Sequence, residues 1–353
     1  MKNTQMKRSV QGLWLILCLF CSASLCGQIK LSSGWQSSFV RITSEGKLIY
    51  IPDEKGNTIP DFSQVGYHHG NRSLPFPKVV DVVLTPVEGK DNRPMIQAAI
   101  DEVSRKQPDA DGHRGTILLK RGLYPVHGTI QISQSGIVLM GEGDNVHETC
   151  LLAVGKERFP LIKVSGKGRV EEIEGTRVRI TDHFVPVGTT SLTVEKSNAF
   201  RPGDRVIVVR PGTDEWIHDI RMDCIVERKG TRQWKASEYN LSYEREVIKV
   251  EGKRIYIDNP IVMQMEEKYG GGEVYKYSFN GRIREVGVMN ICLESEFEDY
   301  EDTNHGWIGL LFDKVENCWA CNITCRYFGY AGISCDTASK NVTVADCRCL
   351  EMK

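Results

Sequence analysis

Three short stretches near the C-terminal end of the chain share one pattern. Val286-x-Val288, Asn290, Ile291-x-Leu293 is the first. Cys318-x-Ala320, Asn322, Ile323-x-Cys325 is the second, and Val342-x-Val344, Asp346, Cys347-x-Cys349 lies 24 residues after it. Each reads apolar, x, apolar, x, Asn or Asp, apolar, x, apolar. Alternation with a period of two is a strand with one buried face, and the slip of phase marks a tight corner between two strands. Asn and Asp suit such a corner because their short side chains bond local backbone and tolerate left-handed φ. Stacked about 4.8 Å apart, the corners let each Asn reach its counterpart in the next turn. A chain written this way winds into a parallel β coil.

The same cadence runs upstream. Apolar runs at 116–119, 129–132, 137–140, 151–154 and 161–164 are separated by glycines and polar pairs, which argues for an all-β body. Ahead of them, Asp91-Asn92-Arg93-Pro94 supplies an N-cap and an early proline. Ile96, Ala99, Ile100 and Val103 follow at helical spacing, predicting one short helix over about 92–106. Residues 169–282 break the cadence: a turn at Arg201-Pro202-Gly203-Asp204 leads into a strand, and 246–257 reads as a hairpin turning at Glu251-Gly252-Lys253. This stretch reads as a small β domain inserted into the coil. Residues 28–78 read as an irregular leader lying against the main body, with 79–168 and 283–353 as the two parts of the coil.

At the N-terminus, Lys2, Lys7 and Arg8 precede the apolar run 13–21, and small residues follow. That is the layout of a secretory signal over residues 1–27, too short to span a bilayer comfortably. Cys26 raises a lipid-anchored form as the less favoured alternative, because Leu25 before it is bulky. With Cys18, Cys21 and Cys26 in or beside the signal, nine of the twelve cysteines remain. An odd number in an oxidising compartment leaves at least one unpaired. Cys318, Cys325, Cys347 and Cys349 fall on inward positions of the repeat, whereas Cys321 sits beside the corner. Cys318-x-x-Cys321 mimics half a zinc site, yet no second pair follows at zinc spacing. We read these thiols as apolar filler, ahead of a cross-rung bridge or a metal site.

Ile96-Gln97-Ala98-Ala99-Ile100-Asp101, the run from Thr116 to Gly122-x-Tyr124, Ile137-Val138-Leu139-Met140-Gly141-Glu142-Gly143 and the three repeats together resemble the pectate-lyase-like superfamily, in its secreted bacterial members. The likeness covers about 79–168 and 283–353. It implies a right-handed parallel β-helix with a short N-terminal cap helix, here carrying the inserted β domain. It also implies cleavage of uronic-acid or other sugar polymers, in lyases usually with calcium and a basic proton acceptor, in hydrolases with paired aspartates. The chain departs from the family's catalytic patterns. It has no Gly-His-Gly, no Asn-Thr-Asp and no adjacent Asp-Asp pair, and Arg201-Pro202-Gly203-Asp204-Arg205 is spaced unlike the lyase motif. No catalytic residue is carried over. The sequence stops in mid-rung after about five rungs, with no polar end cap, which suggests the N-terminal portion of a longer protein.

Candidate chemistry concentrates between Glu294 and Trp307, where six carboxylates occur in nine residues ahead of a histidine and a tryptophan. The repeat puts this stretch in a loop thrown out between rungs. Asp302 and His305 are candidate acid/base groups, and Glu296 and Asp299 candidate calcium ligands. Trp307 is placed to stack on a sugar ring. Arg326 and Tyr327 are candidate substrate contacts, since an arginine pairs with a uronate carboxylate. The plainer reading is a solvated acidic loop with Trp307 packed inward and Arg326 in an outer-wall salt bridge. Trp216-Ile217-His218-Asp219 and His68-His69 are lesser candidates. Asn71, Asn240, Asn322 and Asn341 begin N-x-Ser/Thr triplets, although a corner role would bury Asn322. A net charge of −1 argues against a nucleic-acid partner. The expected function is an exported carbohydrate-active protein cleaving an acidic or complex polysaccharide, by lyase or hydrolase chemistry. The alternative is a non-catalytic β-helix for glycan binding or surface attachment.

Overall fold

The computed structural model describes residues 36–351, so the signal-like segment and its three cysteines lie outside the described residues. The chain divides into two compact units, Met1–Ile51 and Pro52–Lys353. The described part of the first is an antiparallel hairpin in which Val40–Ile42 pairs with Leu48–Tyr50. Among the described residues, no helix is long and apolar enough to cross a membrane.

The second unit contains a parallel β-helix, defined by its strand register. Along the first leg of the coil, Val82, Ile117, Leu139, Val288, Ala320 and Val344 stand in one column of paired strands. Along the second leg the column is Tyr124, Leu151, Leu293, Cys325 and Cys349. Along the third it is Ile130, Ile162, Leu310 and Ile333. All of these pairings are parallel. Alternate side chains face inward, so the columns build one continuous interior of Ile, Leu, Val and Phe, with Cys318 and Cys325 inside it. The thiol of Cys318 is pushed up to about 12 by burial, which keeps it neutral and apolar. Cys347 packs against the same interior, Cys349 is exposed, and all nine described cysteines are free.

The corner between the first two legs is where the repeat places it. Asn290, Asn322 and Asp346 have φ of 55°, 52° and 53°, and Asn322 Nδ2 donates to Asn290 Oδ1 at 3.0 Å. A second left-handed column stands at the entry to the first leg. Glu285, Asn317 and Asn341 there have φ of 55°, 52° and 52°. Residues around Tyr67–Gly70 are clamped to it. Tyr67 Oη donates to Glu285 at 2.6 Å, His68 Nε2 lies 2.7 Å from the same carboxylate, and the His68 N–H donates to Asn317 Oδ1. Tyr67 also meets Trp319 edge to face, in an apolar cluster on the outward face with Val138, Met289 and Cys321. Cys321 is therefore buried on the outside of the wall, under this segment.

One helix, Arg93–Ser104, starts after Asn92 with proline in its first turn. It buries Ile96, Ala99, Ile100 and Val103 in the same apolar cluster as the coil interior. Strands from Val170–Glu172 to Gly272–Phe279 pair only antiparallel. Arg205–Arg210 lies between Leu241–Glu251 and Gly272–Phe279, and Leu241–Glu251 folds back on Arg254–Ile257 through Gly252. They enclose a separate apolar cluster around Leu192, Val206, Val208, Val247 and Ile255. Ionic contacts tie this segment to the coil. Glu316, on a coil strand, is paired with Arg205 at 3.0 Å and Arg284 at 2.9 Å, and Arg282 pairs with Glu244 at 2.8 Å.

Candidate functional site

The outward face of the second leg carries the densest set of polar groups. Past the Asn corner, Ile291 and Leu293 point inward, so Cys292 and Glu294 point outward. Register then makes two outward rows. Cys150, Cys292, Thr324 and Arg348 form one, and Leu152, Glu294, Arg326 and Leu350 the next. Arg326 Nη1 donates to Glu294 at 2.6 Å and its Nε to Glu351 at 3.0 Å, while Tyr327 Oη donates to Glu351 at 2.6 Å. Asp144 accepts from Thr324 Oγ1 at 2.9 Å and pairs with Arg348. The hydrogen bonds from Tyr327 and Arg326 hold the Glu351 carboxyl below its usual range.

Cys150 and Cys292 face each other across adjacent rungs and are fully buried although they point out of the coil. Their sulfurs and a Glu294 carboxylate oxygen all lie within 4.8 Å of one another. The neighbouring thiol of Cys150 lowers that of Cys292 despite burial, and Cys292, with burial, raises Cys150. Among the described residues this is the one group of three or more His, Cys, Asp or Glu side chains so closely convergent.

The acidic loop follows directly. Asp302 accepts backbone N–H groups from Glu298 at 3.1 Å and Asn304 at 2.8 Å, and Asp299 accepts from Glu301 at 2.8 Å. The bonds from Glu301 and Asn304 are Asx-type turns, and all three bonds use carboxylates to fold their own loop. Glu298 is paired with Lys156, and Glu296 is exposed. Glu296 and Asp299, the carboxylates singled out for calcium, lie on this loop outside the convergent group of Cys150, Cys292 and Glu294. His305 is 1% exposed, with Nδ1 3.0 Å from Ser295 Oγ. It sits edge-on to Trp307, with ring centroids 6.5 Å apart. Here it braces the loop instead of reaching solvent.

Trp307 is half-buried and lies nearly parallel to Tyr330, with centroids 6.3 Å apart and planes at 10°. The Arg158 guanidinium stands 4.2 Å over its ring, and Arg158 Nε donates to the Thr303 carbonyl at 2.8 Å. Phe297 packs 5.2 Å from Tyr327. The loop thus gathers Phe297, Trp307, Tyr327 and the 67%-exposed Tyr330 beside Arg158 and Arg326. Of these residues, the sequence singles out Trp307, Arg326 and Tyr327 as candidates. Sequence reasoning missed Asp144, Cys150, Cys292, Arg158 and Arg348, which meet only across rungs. Aligning the repeat across the interruption would have set Cys150 opposite Cys292.

The lesser candidates are occupied elsewhere. Trp216 lies in the helix Asp214–Asp219 against Trp234 and Tyr239, under Arg210, while His218 bonds Asp223 at 2.8 Å. His68 is bound to Glu285, and Asn341 meets His69 at 3.3 Å. A depression of about 410 Å³ lined by Tyr67, Phe76, His113, Glu285 and Trp319 lies over the first leg, away from the polar rows of the second.

No protein-family model matches the chain, and no curated protein matches it. Solved structures show partial likeness. The tailspike of Acinetobacter baumannii bacteriophage AP22, in complex with A. baumannii capsular saccharide, aligns at 11% identity over 70% of this chain and 34% of its own, with a TM-score of 0.36. The Pseudomonas phage phi297 tailspike aligns at 15% identity over 72% and 41%, with a TM-score of 0.34. A Family 28 exopolygalacturonase of Yersinia enterocolitica aligns at 10% identity over 76% and 48%, with a TM-score of 0.21. The chain spans less than half the length of each of these proteins. The parallel β-helix itself is established by the strand register.

Proposed function

We propose that this chain is an exported carbohydrate-active protein that engages an acidic polysaccharide on the side of the coil bearing Trp307, Tyr330, Arg158 and Arg326. The observation that carries this is the stacked Trp307–Tyr330 pair with a guanidinium over it, beside a second arginine in an ionic network. Aromatic faces take the apolar faces of sugar rings, and an arginine fork takes a carboxylate bidentately. Export, resting on the N-terminal charge-and-apolar pattern, would bring the protein to polymers outside the cell.

Binding is the part the geometry supports best. Cleavage is the further arm of the proposal, with Asp302 as its carboxylate candidate and calcium at Glu296 and Asp299 as its cofactor. The buried, Ser295-bonded position of His305 favours a positioning role for it over direct proton transfer.

The test is affinity electrophoresis of the full chain through uronate-containing and neutral polysaccharides. Product assays run in parallel, for ultraviolet-absorbing unsaturated uronates and for reducing ends, with and without calcium. Retention should occur on an acidic polymer, weaken with salt, and fall at least tenfold in Trp307→Ala, whose circular dichroism should match the parent. Folded protein that is retained by no acidic polymer would overturn the reading. Retention without product would leave a glycan-binding coil and remove the cleavage arm.

A further inference from the structure

We propose that Cys150, Cys292 and Glu294 form a binding site for a soft divalent cation of the zinc class. The proposal stands apart from the glycan reading and rests on three features of the wall.

The donor set comes first. Two sulfurs and one carboxylate oxygen lie within 4.8 Å of one another, a spacing that small rotamer adjustments bring to tetrahedral zinc geometry. Thiolate donors select zinc-like ions over calcium, which takes six to eight oxygens. Second, the frame is rigid. Cys150 and Cys292 sit on directly paired strands of adjacent rungs, and Glu294 follows Cys292 on the same face. The backbone therefore positions all three donors before any ion arrives.

Third, these thiols do not behave as filler. Cys318 and Cys325 face the apolar interior. Cys150 and Cys292 face outward, yet are sealed from solvent beside Glu294 and Arg326. Glu294 is itself only half-buried, which leaves the approach to the site on its side. Three protein ligands leave a fourth position for water or an exogenous oxygen. Arg326, bonded to one Glu294 oxygen, then acts as an outer partner orienting the carboxylate.

Cobalt(II) is the probe, titrated without oxygen into the phosphine-reduced full chain. One equivalent should bind with thiolate-to-cobalt charge-transfer absorption, and zinc should displace it. Cys150→Ser and Cys292→Ser should each weaken that band by about half or more. Glu294→Gln should keep the band while weakening affinity at least tenfold. X-ray absorption of the zinc-loaded parent should show two sulfurs at about 2.3 Å with lighter atoms completing the shell. This reading needs no variant to fold. A sulfur-only shell, the absence of charge transfer in folded reduced protein, or a band that survives the double serine variant would overturn the site. So would a Cys150–Cys292 disulfide whose reduction restores no metal binding.

Discussion

The coil and the antiparallel segment between Val170 and Phe279 give their strands partners in opposite ways. In the antiparallel segment, Leu241–Glu251 turns at Gly252 and pairs with what immediately follows it. In the coil, a strand pairs with its counterpart one full turn away: Ala320 with Val344, 24 positions on (344 − 320). Where the segment intervenes, Leu139 still pairs with Val288, 149 positions on (288 − 139). Closing a flexible loop of 149 instead of 24 residues costs only about 1.6 kcal/mol, by the logarithmic law. A folded connection, with its own apolar cluster, costs less. Fully burying Leu139 or Val288 contributes roughly 1.5–3 kcal/mol each, so the interior outweighs the interruption. Register in the coil therefore comes from inward rows and corners, and in the antiparallel segment from turns.

That comparison is most easily broken in the coil interior. Leu293→Ala removes a fully buried side chain held between Leu151 and Cys325 and should cost about 2–5 kcal/mol, read from the denaturant midpoint at unchanged m-value. If the two regions are independent, near-ultraviolet signals from Trp234 and Tyr239 in the antiparallel segment should persist while the coil melts. Simultaneous loss would show that the regions unfold as one.

The ionic tie between the regions should have the next largest effect. Burial raises the Glu316 carboxyl, but the cations around it, Arg205 and Arg284 first and then Lys340 and Arg282, together outweigh burial and hold the group below its usual range. In acid the unfolded chain therefore binds more protons at this position than the folded one, so the contribution is present above the ordinary value of 4.5 and lost as pH falls through the depressed one. Glu316→Gln should lower stability at neutral pH by about 1–3 kcal/mol and flatten the pH dependence below pH 4.5. The cost stays below that of a fully buried pair because Arg205 and Arg284 retain 33% and 46% side-chain exposure. Thermal scans from pH 3 to 7 (about ten points) read both outcomes. A parallel acid limb in both proteins would dismiss Glu316 as the source.

The smallest effects compare one left-handed position in each region. Asn322→Ala loses both the ladder bond to Asn290 and a residue that tolerates φ of 52°, for about 1–2 kcal/mol. Gly252→Ala loses only conformational freedom at φ of 58°, with open space around the new methyl, for roughly 1 kcal/mol. Asn322→Gly should fall between the parent and Asn322→Ala in unfolding midpoint. Equal cost for the two alanine variants would show that the corner ladder contributes nothing beyond its backbone angle.

The corner at Asn290, Asn322 and Asp346 was legible in the sequence because one residue type must do two jobs there: accept positive φ and bond its neighbour above. The second column escaped notice. Glu285 breaks the asparagine pattern of Asn317 and Asn341, and it is held by Tyr67 and His68, more than two hundred positions away. Trp307, Arg326 and Tyr327 could be singled out because each chemistry is visible in a single side chain. The convergence of Cys150 on Cys292 could not, since it depends on which rung lies against which.

By itself, the order of residues determined that this chain winds: period-two alternation, left-handed-tolerant corners and apolar runs act between neighbours in sequence. Only the tertiary structure decided which outward residues meet. Strands 4.8 Å apart bring together side chains that sequence holds far apart, across an interruption with a core of its own. That is why the acidic loop, conspicuous as a string of letters, spends carboxylates on its own turns, while two inconspicuous cysteines join Glu294 in the convergent group of three donors among the described residues.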